Sequence, residues 1–215
     1  MSEKVDKAFN DLKLGFIFSF FALFVTILYS IAFLKSYFLH LSFPSGLPLF
    51  LLLLTWAYGL AKRVEGWSLL NQKSVSLALI CGTITLFTSF SLATAQYIIP
   101  SRGIYPVGTE PQLLFAVLSY AGALVAPIAW GVYTVFESWG FRMIKQNYGI
   151  NLTPAQICSL IGILVLVFID YLSGLTLPSL VIAFLSASPF LIVSCILTFL
   201  KLRKNSKVQN KYLKR

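Results

Sequence analysis

Seven carboxylates, one histidine and three cysteines are the whole inventory from which this chain could build a catalytic or metal centre. His40 stands alone, so paired-histidine haem ligation and histidine-rich zinc or copper sites cannot be assembled from this chain by itself. Cys81, Cys158 and Cys195 lie at unrelated spacings inside apolar runs, with no CxxC and no histidine nearby, and read as small buried residues. A serine nucleophile at Ser173, beside Gly174, would need a histidine base on a later segment, and none follows. Aspartyl chemistry needs two carboxylates that share a proton. Asp170 is the only carboxylate within the apolar runs of the second half. The expectation is a protein that is not an enzyme and holds no cofactor.

Four polar residues remain as candidates for a substrate path: Asp170, Glu137, Gln96 and Glu110. Asp170 falls within the apolar run from Ile161 to Leu177, and an ionisable group inside a membrane segment is a functional candidate by default. The turn at Ser173 is about one helical turn away, so an interfacial carboxylate at a helix end is the competing reading. Glu137 follows an apolar run and precedes Arg142 and Lys145. It reads either as a proton or cation site or as half of an interfacial salt bridge to one of those cations. Gln96 and Glu110 fall towards the opposite, outer side.

The elements that must position these residues are membrane helices. Of the 215 residues, 58% are hydrophobic and only 11% charged, against about 25% charged in soluble domains. At about 20 residues per span, the length allows six helices and leaves no room for a soluble domain. The expected fold is an all-α polytopic membrane domain over 14–200. Its spans lie at about 14–34, 47–61, 74–99, 112–136, 155–172 and 178–200. An interfacial amphipathic segment, 1–13, precedes it, and a basic tail, 201–215, follows. The apolar run after Lys13 is too long for a signal-peptide core, so it is expected to be retained as span one. His40 with Pro44, Gly46 and Pro48 marks a turn, and Pro100 to Pro111 a breaker-rich outer loop. Span three carries the most hydroxyls, Pro127 is expected to kink span four, and Thr153 with Pro154 reads as N-cap and first helical position.

Charge orients the spans. With a cytoplasmic N-terminus, 15 of the 17 Lys and Arg residues fall inside, and only Lys35 and Arg102 fall outside. The positive-inside rule then places both termini in the cytoplasm, in a multi-pass protein of the cell membrane. Seven of the basic residues lie between Lys201 and Arg215, a tail expected to hold anionic lipid head groups at about 1 kcal/mol per residue. No specific nucleic-acid binding is expected from so short a tail. The sequon at Asn151 lies on the inner side and is expected to be unused.

Two inner loops share a design. Glu65 and Trp67 recur as Glu137 and Trp139 at an offset of 72, and Ile80–Cys81 matches Ile157–Cys158 once about five extra residues are allowed. This is a candidate parallel repeat, of the kind seen between transporter halves. Trp56, Trp67, Trp130 and Trp139 all fall near inner span ends, as an aromatic belt requires. Trp67, Glu65, Trp139 and Arg142 are the residues expected to face a partner.

The opening Ala8 to Gly15 and the inner segment Phe141 to Gly149, with Tyr148, resemble an uncharacterised family of multi-span membrane proteins of thermophilic archaea. That resemblance implies six helices and assigns no activity. Because the sequence shows no ligand set and no deeply buried charge, the leading expectation is a non-catalytic subunit or scaffold, with the lipid bilayer and other membrane subunits as partners. The alternative is a small-solute carrier or channel, since six spans in about this length also resemble the substrate-binding membrane component of vitamin importers.

Overall fold

The computed structural model describes residues 3–39, 47–98 and 110–212 as six α-helices. They are α1 Glu3–Phe38, α2 Leu47–Leu69, α3 Lys73–Ile98, α4 Glu110–Tyr148, α5 Thr153–Leu172 and α6 Leu177–Tyr212. The segments Glu3–Ser36, Ala116–Tyr148, Thr153–Leu172 and Pro178–Lys204 are each long and apolar enough to cross a membrane. The turn expected at His40 and the outer loop around Arg102 lie outside the described residues.

The helices outrun the spans, and the residues that stop them explain why. At the end of α2, Asn71 adopts φ 60°, Asn71 N–H donates to Ser68 O at 3.0 Å, and Gln72 N–H donates to Trp67 O at 2.9 Å. This is a Schellman closure on a left-handed asparagine. It carries the helix through Lys62–Leu69, the stretch expected to be a loop. Gly149, at φ 70° with its N–H on Lys145 O at 3.0 Å, stops α4 in the same region of backbone space. The expected loop from Glu137 to Tyr148 is therefore three more turns of α4, which also runs through Pro127. The segment from Glu3 to Lys13 likewise continues unbroken into α1. At α5 the cap position belongs to Leu152, with no side-chain cap, so Thr153 and Pro154 are already inside the helix; Asn151 Oδ1 instead accepts the Thr153 N–H at 3.1 Å.

Each helix packs on its neighbours in chain order, and α1 packs on α6, which closes the six into a ring. Its outer surface is bulky and apolar, with Phe21, Leu28, Ile31, Leu164, Phe168 and Leu172 all exposed. Inside, small and hydroxyl-bearing residues such as Ala22, Ser119, Ala126, Ala183, Ala187, Ser194 and Thr198 are buried. That is the arrangement expected of helices that associate by close packing in lipid. Backbones approach closely at α1–α2: a Cβ on Gly66 would sit 2.9 Å from Ala8 O, and one on Gly59 3.2 Å from Gly15 O. Ser194 Oγ donates to Ala155 O at 2.8 Å and ties α6 to α5.

A buried ion pair in a cavity lined by all six helices

Arg63 on α2 and Glu137 on α4 meet inside the ring. Both are buried, at 9% and 6% exposure, so each depends on the other for neutrality. Arg63 Nε donates to Glu137 Oε1 at 2.9 Å, and Nη2 pairs with Oε2, which makes the contact bidentate. Such fork-on-carboxylate pairs are the strongest ion-pair geometry and fix orientation as well as charge. Trp67 Nε1 donates to Glu137 Oε1 at 3.2 Å, and Arg63 Nη1 donates to Ser19 Oγ at 3.3 Å. The guanidinium also lies over the Phe16 ring, 4.9 Å from its centroid, with the Tyr133 ring at 6.0 Å.

Glycines seat this cluster where two bulky side chains cross a helix. A Cβ on Gly15 would stand 2.6 Å from Arg63 Cγ, and one on Gly140 would stand 2.7 Å from Trp67 Cη2. The stem of Arg63 therefore passes over Gly15, and the six-membered ring of the Trp67 indole lies against Gly140. Beneath the pair, Trp67 is fully buried and packs on Phe141, with ring centroids 5.8 Å apart. Away from it, Trp130 stacks on Tyr133 and Phe184 and meets Trp56 edge to face at 6.1 Å.

The pair faces a cavity of about 50 Å³. Its wall takes Phe16, Ser19 and Leu23 from α1, Trp56, Leu60 and Arg63 from α2, and Leu79 and Thr83 from α3. Trp130, Tyr133, Thr134 and Glu137 come from α4, Ser159 from α5, and Leu191, Ser194 and Cys195 from α6. Since one water needs about 10–15 Å³ of such space, the cavity has room for a few waters or one small solute. Arg63 is the sole cation in this wall and Glu137 the sole carboxylate.

Several expectations change here. Glu137 pairs with Arg63, not with Arg142 or Lys145, because on α4 the latter two fall on the exposed face. Trp67 is in the core and not on a partner-facing surface, whereas Glu65, Trp139 and Arg142 are exposed. Residues two apart on a helix point about 200° apart, so only one member of each Glu-x-Trp motif can face inward. On α2 it is Trp67; on α4 it is Glu137. The two motifs of the candidate repeat therefore do opposite jobs, and their inward members bond to each other.

Asp170 is fully buried within the protein near the end of α5. Ser179 Oγ donates to its Oδ1 at 3.1 Å, and Oδ2 has no hydrogen-bond partner among the described residues. It lies apart from the cavity lining. Gln96 falls in α3 and Glu110 opens α4, but their side chains lie outside the described residues. The hydroxyls of α3 divide: Thr83 and Ser89 are buried, while the exposed Thr85 and Thr88 donate to the carbonyls of Cys81 and Ile84 in their own helix.

Sequence reasoning missed Arg63, which counted only as an inside positive charge. The signal was periodicity. Trp56, Leu60, Arg63 and Trp67 recur at spacings of four, three and four, one stripe of a helix, and Trp130, Tyr133, Glu137, Phe141 and Ile144 form the matching stripe on α4. A charge set in an aromatic stripe points at the core. Comparison with protein-family models, with curated proteins and with solved structures finds no match.

Proposed function

We propose that the protein is a multi-pass membrane carrier for a small solute and that the cavity at Arg63 and Glu137 is its binding site. A single observation carries the reading: a bidentate buried ion pair faces a cavity whose wall takes side chains from every helix of the ring. Desolvating two charges costs several kcal/mol per ion, and well-packed apolar side chains of similar volume usually hold a bundle together at least as well. A pure scaffold has little use for such a pair, whereas a carrier needs a polar group that its moving helices share. The scaffold expectation drew on a lack of deeply buried charge, and Arg63 and Glu137 remove that motive. In this reading all six helices span the cell membrane and both termini are cytoplasmic.

The subunit reading keeps one supporting feature, the exposed Trp139 and Arg142 on α4. Reconstitution separates the two. Liposomes carrying the purified chain should accumulate one member of a panel of labelled small solutes saturably, and the double variant Arg63→Gln/Glu137→Gln should not. Uptake no faster than in protein-free liposomes, together with a stoichiometric protein partner that Trp139→Ala releases, would favour the subunit.

A further inference from the structure

Building on the carrier reading, we infer that the solute is a small monoanion that takes the place of Glu137 on Arg63, with one proton settling on Glu137 as it binds. A guanidinium is not deprotonated in proteins, so the cavity holds a permanent positive charge, and Glu137 is what neutralises it now. The planar fork that holds a carboxylate at two oxygens holds any small oxyanion of the same shape equally well. The size agrees, since about 50 Å³ suits an anion of three or four heavy atoms at the ~10–15 Å³ that one water needs.

The proton follows from counting charge. With its own pair the site is neutral; with the anion added and Glu137 still ionised it would carry one uncompensated negative charge away from water. Protonating Glu137 restores neutrality, and Trp67 Nε1–H, 3.2 Å from Oε1, still has a carboxyl oxygen to donate to. Among the described residues lining the cavity, no other group can accept that proton. From α4 the neighbour is Tyr133 and from α6 it is Cys195, and both are neutral acids at pH 7 that can only lose a proton. The faces of α1, α3 and α5 present Phe16, Ser19, Leu23, Leu79, Thr83 and Ser159, none of which titrates. The balance is Arg63⁺·Glu137⁻ plus anion plus one proton from the entry side, giving Arg63⁺·anion and neutral Glu137. No redox change occurs, and the transport cycle moves no net charge.

Nitrate is a suitable probe because it is a permanent monoanion that cannot carry its own proton. The purified full chain, in weakly buffered detergent with a pH indicator, should take up one proton for each nitrate bound. Its dissociation constant should rise about tenfold for each unit of pH over the range in which one proton enters with each nitrate. Glu137→Gln should bind nitrate with no proton uptake and no pH dependence, and Arg63→Gln/Glu137→Gln should not bind it. Nitrate bound without a proton by the wild-type chain overturns the inference, even if Glu137→Gln fails to fold. So does equal binding by the double variant, which would locate nitrate on the basic tail. No nitrate binding, alongside Arg63-dependent uptake of a cation or neutral solute, overturns the inference and leaves the carrier reading standing; loss of all Arg63-dependent uptake ends both.

Discussion

Glu137 and Asp170 are both buried carboxylates, and the chain treats them differently. Glu137 receives two bonds from a guanidinium on another helix and a third from an indole, across sequence separations of 74 and 70. Asp170 receives one hydroxyl from Ser179, nine residues on, and leaves an oxygen without a partner among the described residues. The first is a product of the assembled ring. The second joins the end of α5 to the first turn of α6 across a short turn, where Gly174 and Leu175 at φ 95° and 53° lead the chain from one to the other. Burial alone therefore does not define the site; what singles out Glu137 is a countercharge brought from a distance into a shared cavity.

The largest break in this contrast comes from removing the countercharge. Arg63→Met leaves Glu137 buried and unpaired, and should destabilise the bundle by about 3–5 kcal/mol. The double variant Arg63→Met/Glu137→Met should recover most of that loss, because two apolar side chains of similar volume replace the pair. Unfolding in graded denaturing detergent measures both. Equal losses in the single and double variants would show that packing, and not charge pairing, dominates here.

A smaller effect is expected from the seat beneath the pair. Gly140→Ala puts a methyl 2.7 Å from Trp67 Cη2, hard against a fully buried indole. Overpacking of this kind costs about 1–3 kcal/mol, and it should shift the emission of Trp67 as its bond to Glu137 is strained. A wild-type spectrum and unfolding midpoint would mean that the indole has room to move.

Asp170→Asn should cost less, within about 1 kcal/mol, since the amide oxygen keeps the Ser179 hydroxyl and the position loses no charged partner. The same unfolding assay applies. A loss as large as that of Arg63→Met would erase the difference between the two carboxylates and would require a cation near Asp170 beyond its one described bond.

How far the sequence discloses all this follows from which signals are local. Apolar runs place six helices to within a few residues where breakers are strong, as at Ser173–Pro178. They miss the ends of α2 and α4 because Asn71 and Gly149 stop a helix by adopting left-handed backbone, and polar residues before them read as loop. Glu137 and Asp170 stand out as carboxylates in apolar surroundings. Arg63 does not, because next to Lys62 it looks like a charged span end; only the ring, which turns one neighbour outward and the other inward, separates them.

Those adjacent cations supply the last and smallest test. Lys62, at 23% side-chain exposure, donates to Asp11 Oδ1 at 3.2 Å and to Glu65 Oε2 at 2.6 Å. The bond to Glu65, then the one to Asp11, holds its ammonium above the ordinary lysine range. A raised value means that the folded state binds the proton more tightly than the unfolded chain. The stabilisation is therefore complete below the unfolded value of about 10.4 and fades only as pH climbs past it towards the folded one. Lys62→Met should lower the unfolding midpoint slightly and by the same amount between about pH 6 and 10, and salt should shrink the difference because the contact with Glu65 is open to solvent. A gap that changes between about pH 6 and 8 would have to come from another group. The Lys62 contacts do not change over that interval, so this surface pair serves as the flat baseline against which any pH effect at Arg63 and Glu137 is read.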